Sequence, residues 1–464
     1  MSAASETVTT RLRPAAPVPH NRNLSTLQVL RELGRNPIAA FSTYGYSERY
    51  VHSRTFVSDF LLVSDPDGVR HVLLDNAANY VKSIQAQRLT KPALGNGLVT
   101  SEGASWRFQR RTIAPMFALR NVHDFASVME QSAEAMLARW EGRTELDAAD
   151  ELMQLTYDII SRTLFSNDVA MQYGKMSEAL AVYLESQGRI DILRTIGVPN
   201  WVPTPNNLRA RGPLKFFRKE LMALVRQRRA QLQADPTSVG RDFLTMLLTT
   251  RDPEGGALFG EAEVFDNVMT FVFAGHETTS NALAWTLYLL SQFPEADARV
   301  AEEVARERDL DGLVYTRMVL EESMRLYPPV PIISRDSVGP DVVGPVAIRP
   351  KTSVMIAPWL IHRHRTLWED PEYFDPERFA PGKREKIPRF AYLPFGAGPR
   401  ICIGMAFAMQ EALIILRAIL RRYRLELEPG FPVEPQARVT LRPKHGLRMR
   451  LVKRASPAPP ACRA

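Results

Sequence analysis

Residues 395 to 404 read FGAGPRICIG, running Phe395, Gly396, Ala397, Gly398, Pro399, Arg400, Ile401, Cys402, Ile403, Gly404. Three glycines within nine residues let a backbone turn tightly against a flat object, because glycine lacks the Cβ that would hold the two apart. Phe395 can pack beneath such a loop, and Cys402 is then held where its sulfur can act as a ligand. Loop N–H groups and Arg400 bring positive charge toward that sulfur, which lowers a thiol's pKa and can also meet an anionic ligand group. Helical periodicity beginning near Met405 places the positive end of a helix beside it. A lone cysteine is more often a small buried apolar side chain; the glycines and the arginine around Cys402 argue for a ligand.

The rest of the composition narrows the setting. The chain has 464 residues, 45% hydrophobic and 24% charged, which suits a large globular core rather than a disordered or fibrous chain. Its two cysteines, Cys402 and Cys462, exclude a disulfide framework and a cysteine-rich zinc or iron–sulfur site. Cys462 lies in a Pro/Ala tail without a neighbouring His or acid and reads as incidental. A net charge of +8, carried more by Arg than by Lys, admits a nucleic acid, a membrane surface or an acidic protein as partner. No aromatic-plus-basic module supports nucleic acid. The first 25 residues hold no apolar run long enough for a signal peptide or anchor, and the apolar stretch from Val264 to Phe293 is interrupted by Asp266, Asn267, His276, Glu277 and Asn281. That stretch predicts a buried helix rather than a membrane span.

Apolar spacing of three and four residues predicts helices over Gln131–Trp140, Leu152–Phe165, Lys215–Gln231, Asp242–Thr249, Glu295–Arg306 and Met405–Arg422. Extended runs are expected at Phe56–Val63, Val342–Ile348 and Val439–Leu451. The expected fold is mainly α with a minor β region. It comprises a loose arm over 1–25, one domain over 26–454 and a tail over 455–464.

Three further patterns carry polar groups in apolar settings. Ala274, Gly275, His276, Glu277, Thr278 and Thr279 sit in mid-helix, a poor place for an acid and two hydroxyls unless they face a cavity or another helix's polar patch. A zinc-protease helix is excluded, because Ser280 stands where the second histidine of H-E-x-x-H is needed. Glu322 and Arg325 share a helix face. Trp106 and Arg110 share another, which taken alone is an amphipathic helix with a basic side.

FGAGPRICIG matches the FxxGxRxCxG signature of the cytochrome P450 superfamily at every fixed position, and the resemblance extends over nearly the whole chain. It implies that Cys402 is the proximal ligand of a haem b iron (iron protoporphyrin IX), with Phe395, Gly396 and Gly404 shaping its loop. AGHETT is similar to the family's oxygen-binding segment. Ala274 and Gly275 are then expected to border the distal haem face, while Glu277 and Thr278 deliver protons to dioxygen, the co-substrate. E-x-x-R with the downstream PERF implies a partly buried network of Glu322, Arg325 and Arg378. W-x-x-x-R implies that Trp106 and Arg110 meet a haem propionate, with Arg335 and Arg400 as further propionate contacts. His362 and His364 are expected as structural or propionate contacts, and His276 as structural or cavity-facing.

The implied activity is that of a haem-thiolate monooxygenase, inserting one oxygen atom of dioxygen into a C–H bond of a fatty acid, terpenoid or steroid. A peroxide-dependent peroxygenase and a non-enzymatic haem sensor or carrier are the alternatives, neither of which needs the Glu277–Thr278 pair. About sixty residues follow Cys402, so NAD(P)H electrons are expected through a separate ferredoxin or flavodoxin with its reductase. Arg107, Arg110, Arg111, Lys383, Arg384, Lys386 and Arg389 are the expected docking cations. Substrate contacts are expected from Ser83–Leu98, Gln187–Trp201, Phe271–Ala274, Val330–Ile333 and the region of Val439. The protein is expected to be a bacterial, cytoplasmic monomer.

Overall fold

A computed structural model describes residues 12–21, 24, 26–54, 59–166 and 205–454. The expected contacts at Gln187–Trp201, the tail over 455–464 and Cys462 lie outside the described residues. The predicted long helix runs from Glu261 to Gln292, about 48 Å at 1.5 Å per residue. Its start is fixed by Glu263, whose carboxylate accepts the Gly260 N–H at 2.9 Å. Buried residues occur on every face, because the helices Ala148–Phe165, Val314–Leu326 and Met405–Leu420 all pack on it.

The polar residues that interrupt its apolar run have partners. Asp266 accepts the Asn96 N–H at 2.8 Å and Asn267 accepts the Leu98 N–H at 3.0 Å. They supply the loop over 95–98 with hydrogen bonds it cannot make to itself. Gly275 faces the Ala148–Phe165 helix: a Cβ there would lie 3.0 Å from Ile160 Cδ1. Among the described residues no helix is long and apolar enough to cross a membrane.

The predicted helices stand at Ala126–Trp140, Ala148–Phe165, Pro205–Ala234, Phe243–Thr249, Pro294–Arg306 and Met405–Leu420. The last ends two residues before the predicted Arg422, since Tyr423–Leu427 begins a strand. Five strands form the main sheet in the order Tyr50–Arg54, Asp59–Val63, Ser353–Ile356, Ile333–Ser337, Tyr80–Lys82. The second and third are parallel and the other neighbours antiparallel. A smaller sheet joins Glu145–Asp147, Arg448–Lys453 and Tyr423–Leu427.

Two expected extended runs prove to be broken. Val342–Ile348 is a hairpin of Asp341–Val343 and Val346–Ile348. It turns at Gly344, whose φ of +56° and closeness to the Tyr50 ring, 2.3 Å from a built Cβ, admit no side chain. Val439–Leu451 divides into Leu441–Pro443 and Arg448–Lys453.

The loose arm over 1–25 also needs correction where it is described. Tyr327 Oη donates to Ala15 O at 2.8 Å and the Ala15 N–H donates to Tyr288 Oη at 3.1 Å. His20 is held by backbone hydrogen bonds to Phe41 and Thr43. Polar composition concealed this docking, because the arm attaches largely through backbone hydrogen bonds, with Ala15 packed against the core.

Candidate active site

The cysteine loop is built as its glycines require. Gly396 and Gly398 both have φ of +70°, and a Cβ on Gly398 would lie 1.8 Å from Leu73 O. A side chain there would push the loop off the turn at His71–Asp75. The Cys402 N–H donates to Phe395 O at 2.9 Å, closing the loop, and Gly404 precedes the helix Met405–Leu420.

The sulfur's electrostatics differ from expectation. Burial pushes the Cys402 thiol up, and this outweighs the Gly404 N–H and the nearby Arg110, which both pull it down. Arg400, expected to lower it, points elsewhere: it donates to Ser101 O at 3.0 Å, pairs with Glu102 and stacks over the Trp106 ring at 4.3 Å. Trp106 and Arg110 therefore part company, the tryptophan joining Arg400 and the arginine facing the sulfur.

Beside Trp106 lies a cluster of cations that sequence reasoning saw only in part. Lys82 and Arg335 stand directly opposite each other on antiparallel strands, a like-charge register that costs stability. Burial first, and then Arg400, pulls Lys82 down to about 7 and Arg335 to about 10. Glu102 is the one carboxylate acting on both. Three cations around one acid leave room for two more negative charges, which fits the paired propionates of a haem. Lys82 was missed because its role depends on pairing with Arg335 across strands that the sequence did not reveal.

On the other side, Ala274, Glu277 and Thr278 line an apolar cavity of about 210 Å³. Leu89, Ala93 and Leu94, Val330, and the hairpin tip at Val439 complete it, so four of the five expected substrate regions meet there. Thr278 Oγ1 donates to Ala274 O at 2.8 Å, a backbone tie that fixes its rotamer. The Glu277 carboxyl accepts from Thr440 Oγ1 at 2.7 Å. Burial raises the pKa of Glu277 more than Thr440 and Arg442 lower it. His276 points away, its Nδ1–H donating to Val272 O at 2.6 Å with its ring packed at right angles to Tyr157. Burial takes it down to about 4, so it is neutral and structural. A separate groove of about 1000 Å³, a charged channel between Glu130 and Arg421, contains none of these residues.

In the predicted acid–guanidinium network the Glu322–Arg325 pair is fully enclosed and Arg378 is half-buried. Glu322 and Arg325 are both 0% exposed, with Nε–Oε2 at 2.6 Å and Nη2–Oε1 at 2.8 Å. Arg325 also donates to the carbonyls of His362, Pro371 and Tyr373 at 2.7, 2.7 and 2.9 Å. Arg378 approaches Glu322 at 3.6 Å and donates to Asp370 O. His362 carries the network to the cysteine segment, its Nε2 accepting the Leu393 N–H at 2.7 Å. His364 must be removed from the expected cofactor contacts. It is buried, its Nδ1 serves the Thr366 turn, and its charged surroundings are Arg49, Glu48 and Asp65 rather than the cation cluster.

Comparison with known proteins follows these contours. The Cytochrome P450 family model matches residues 14–448. Cyclooctatin synthase of Streptomyces melanosporofaciens is 32% identical over 418 residues, covering 88% of this chain and 90% of its own. Pentalenene oxygenase of Streptomyces avermitilis is 30% identical over 436 residues, covering 91% and 94%. The crystal structure of the cytochrome P450DA heme domain superposes with a TM-score of 0.82 at 25% identity, covering 95% of this chain and 98% of that one.

Replacing Glu322 by Gln leaves Arg325 charged, buried and without its carboxylate, at an expected cost of about 3–5 kcal/mol. Urea unfolding followed by circular dichroism measures this; a midpoint unchanged from wild type would show that the pair is not structural.

Proposed function

The chain belongs to the cytochrome P450 family, an oxidoreductase of the monooxygenase kind, and from that premise we propose that it oxidises a lipophilic molecule held in the cavity beside Thr278. The observation that carries this is the buried acid and the adjacent hydroxyl, Glu277 and Thr278, on the wall of one apolar cavity. When bound, the haem supplies the oxidising chemistry, using dioxygen to place one oxygen atom in a C–H bond while the other leaves as water.

The chain's own residues hold, orient and supply protons. Cys402 would ligate the iron as a thiolate. Lys82, Arg335, Arg400 and the Trp106 N–H would anchor the propionates. Arg110, facing the sulfur, would favour its ionised form. Thr278 commits its proton to Ala274 O and so offers oxygen lone pairs to the cavity. Glu277, with its raised pKa, keeps a proton to give at pH values where an exposed carboxylate has lost it. A peroxygenase or a haem carrier has no use for this pair. The apolar lining suits terpenoid, steroid or fatty-acid skeletons, and terpene-related relatives favour the first.

Electrons are proposed to arrive from a separate acidic carrier, a ferredoxin or flavodoxin reduced from NAD(P)H. It would dock in the groove of about 590 Å³ beside Phe395 and Ile401, where Arg317 and Arg389 stand with the exposed Leu119 and Met405. Not every expected cation is available: Arg111 is paired with Asp252 and Glu254, and Arg384 with Glu321. Arg107 is exposed on the helix whose Arg110 faces the sulfur.

Thr278→Ala, assayed with a reductase system and dioxygen, is expected to keep consuming NAD(P)H while product per electron falls about 10²-fold. Peroxide accumulation measures the diverted oxygen, and unchanged coupling would remove Thr278 from proton delivery. In Glu277-dependent turnover, coupling falls as pH rises through the raised pKa of that acid. Arg107→Glu is expected to slow reduction by the carrier about tenfold at low salt, with less difference at high salt. Stopped-flow rates that match wild type at every salt concentration would place docking elsewhere.

A further inference from the structure

The cavity is apolar on three sides and cationic at one end. The chain Arg438–Val439–Thr440–Leu441–Arg442 rounds the tip of the hairpin formed by Pro435–Ala437 and Leu441–Pro443, with the Arg438 N–H donating to Thr440 O at 2.9 Å. Arg438, Val439 and Thr440 at the tip and Arg442 on the return strand all line the cavity together with Glu277 and Thr278. Ala437 and Leu441, on the opposite side, are buried in the core. The direction is fixed by Thr440, whose hydroxyl reaches Glu277. It is fixed again at Leu441, whose N–H donates to Pro329 O while its carbonyl accepts from Trp285 Nε1, each at 3.0 Å.

The charges do not cancel. Among the described residues lining the cavity Glu277 is the one acid. Its carboxyl is buried and disposed to keep its proton, so it offsets the Arg442 guanidinium weakly. Among the described residues Arg442 makes no ion pair, and its charge is felt at Glu277. A half-buried guanidinium facing an apolar cavity favours a planar anion that two parallel N–H groups can grip.

We propose that the substrate is an apolar molecule bearing one carboxylate. Arg442 holds the carboxylate at the hairpin while the hydrocarbon body lies along Ala274 and Thr278. This rests on the reading of the cavity as the substrate site and adds the chemical class that the site selects. The hairpin tip is then a specificity element, reading the head group while Thr440 keeps Glu277 in place.

The test compares matched acids and esters on the purified holoprotein: dodecanoic acid against methyl dodecanoate, and abietic acid against methyl abietate. Titration calorimetry gives affinity whether or not turnover follows. Each acid is expected to bind about tenfold more tightly than its ester, as for one charge-assisted contact in a partly buried site. In Arg442→Gln the acid-to-ester ratio should fall toward 1, whereas Arg442→Lys, which keeps the charge without the fork, should retain an intermediate ratio. Equal affinities in the wild type, acids that do not bind, or a ratio untouched by either substitution would each overturn the proposal. Should the Gln variant not fold, the wild-type ratio and its change in the Lys variant decide. Failure of this inference alone shows as an enzyme that still oxidises the esters; failure of the oxidation reading shows as no product from either member of a pair.

Discussion

One buried cation organises the proximal half of this molecule. Arg325 has no solvent to stabilise it, so its guanidinium must be satisfied by the protein, and it is: two contacts go to Glu322 and three to the carbonyls of His362, Pro371 and Tyr373. Those carbonyls belong to an irregular stretch of short turns, and Arg325 ties three points of it together. The Asp375 N–H completes the arrangement by donating to Glu322 at 2.8 Å. Through His362 and the Leu393 N–H the same network sets the path into Phe395 and so into the cysteine loop. A hydrophobic replacement of such a pair can be neutral, but loss of one partner is not, so its value here is geometric: it fixes where Cys402 stands.

The second constraint is electrostatic. Lys82, Arg335 and Arg400 gather around Glu102, and burial depresses the first two. Like charges directly across two strands would be selected against in a purely structural setting. They make sense as half of a site whose other half is a bound dianion. Burial acts in the opposite direction on Cys402 and Glu277, raising both. For the thiol this means that ionisation is left to Arg110 and to the metal it would ligate. For the acid it means a retained proton, which is what a donor needs.

Much of this was legible in the sequence wherever a motif is contiguous. The loop at 395–404, the polar interruption at 274–279 and the helical pair Glu322–Arg325 each carry their constraint within a few residues, although Arg400 turns from the sulfur to Glu102. The long helix was equally plain, because a run of apolar residues that long has few other solutions. What could not be read depends on pairing across the chain. The strands at 50–54, 80–82, 333–337 and 353–356 are short and half-exposed, so their alternation is faint, and with them went Lys82. His364 misled because it neighbours His362 in sequence, yet one ring serves the cysteine segment and the other a local turn. The placement of Arg400 away from the sulfur was hidden too, since Glu102, its partner, lies 298 residues earlier.

The account stands on Cys402 as a thiolate ligand held by a loop that Arg325 shapes. The most direct measurement is the absorbance spectrum of the reduced holoprotein with carbon monoxide, for the wild type and for Cys402→His. A red-shifted band of the thiolate type in the wild type, replaced in the variant by the shorter-wavelength band of imidazole ligation, is the predicted result. A wild-type spectrum already of the imidazole type, or one that the substitution leaves unchanged, would contradict it.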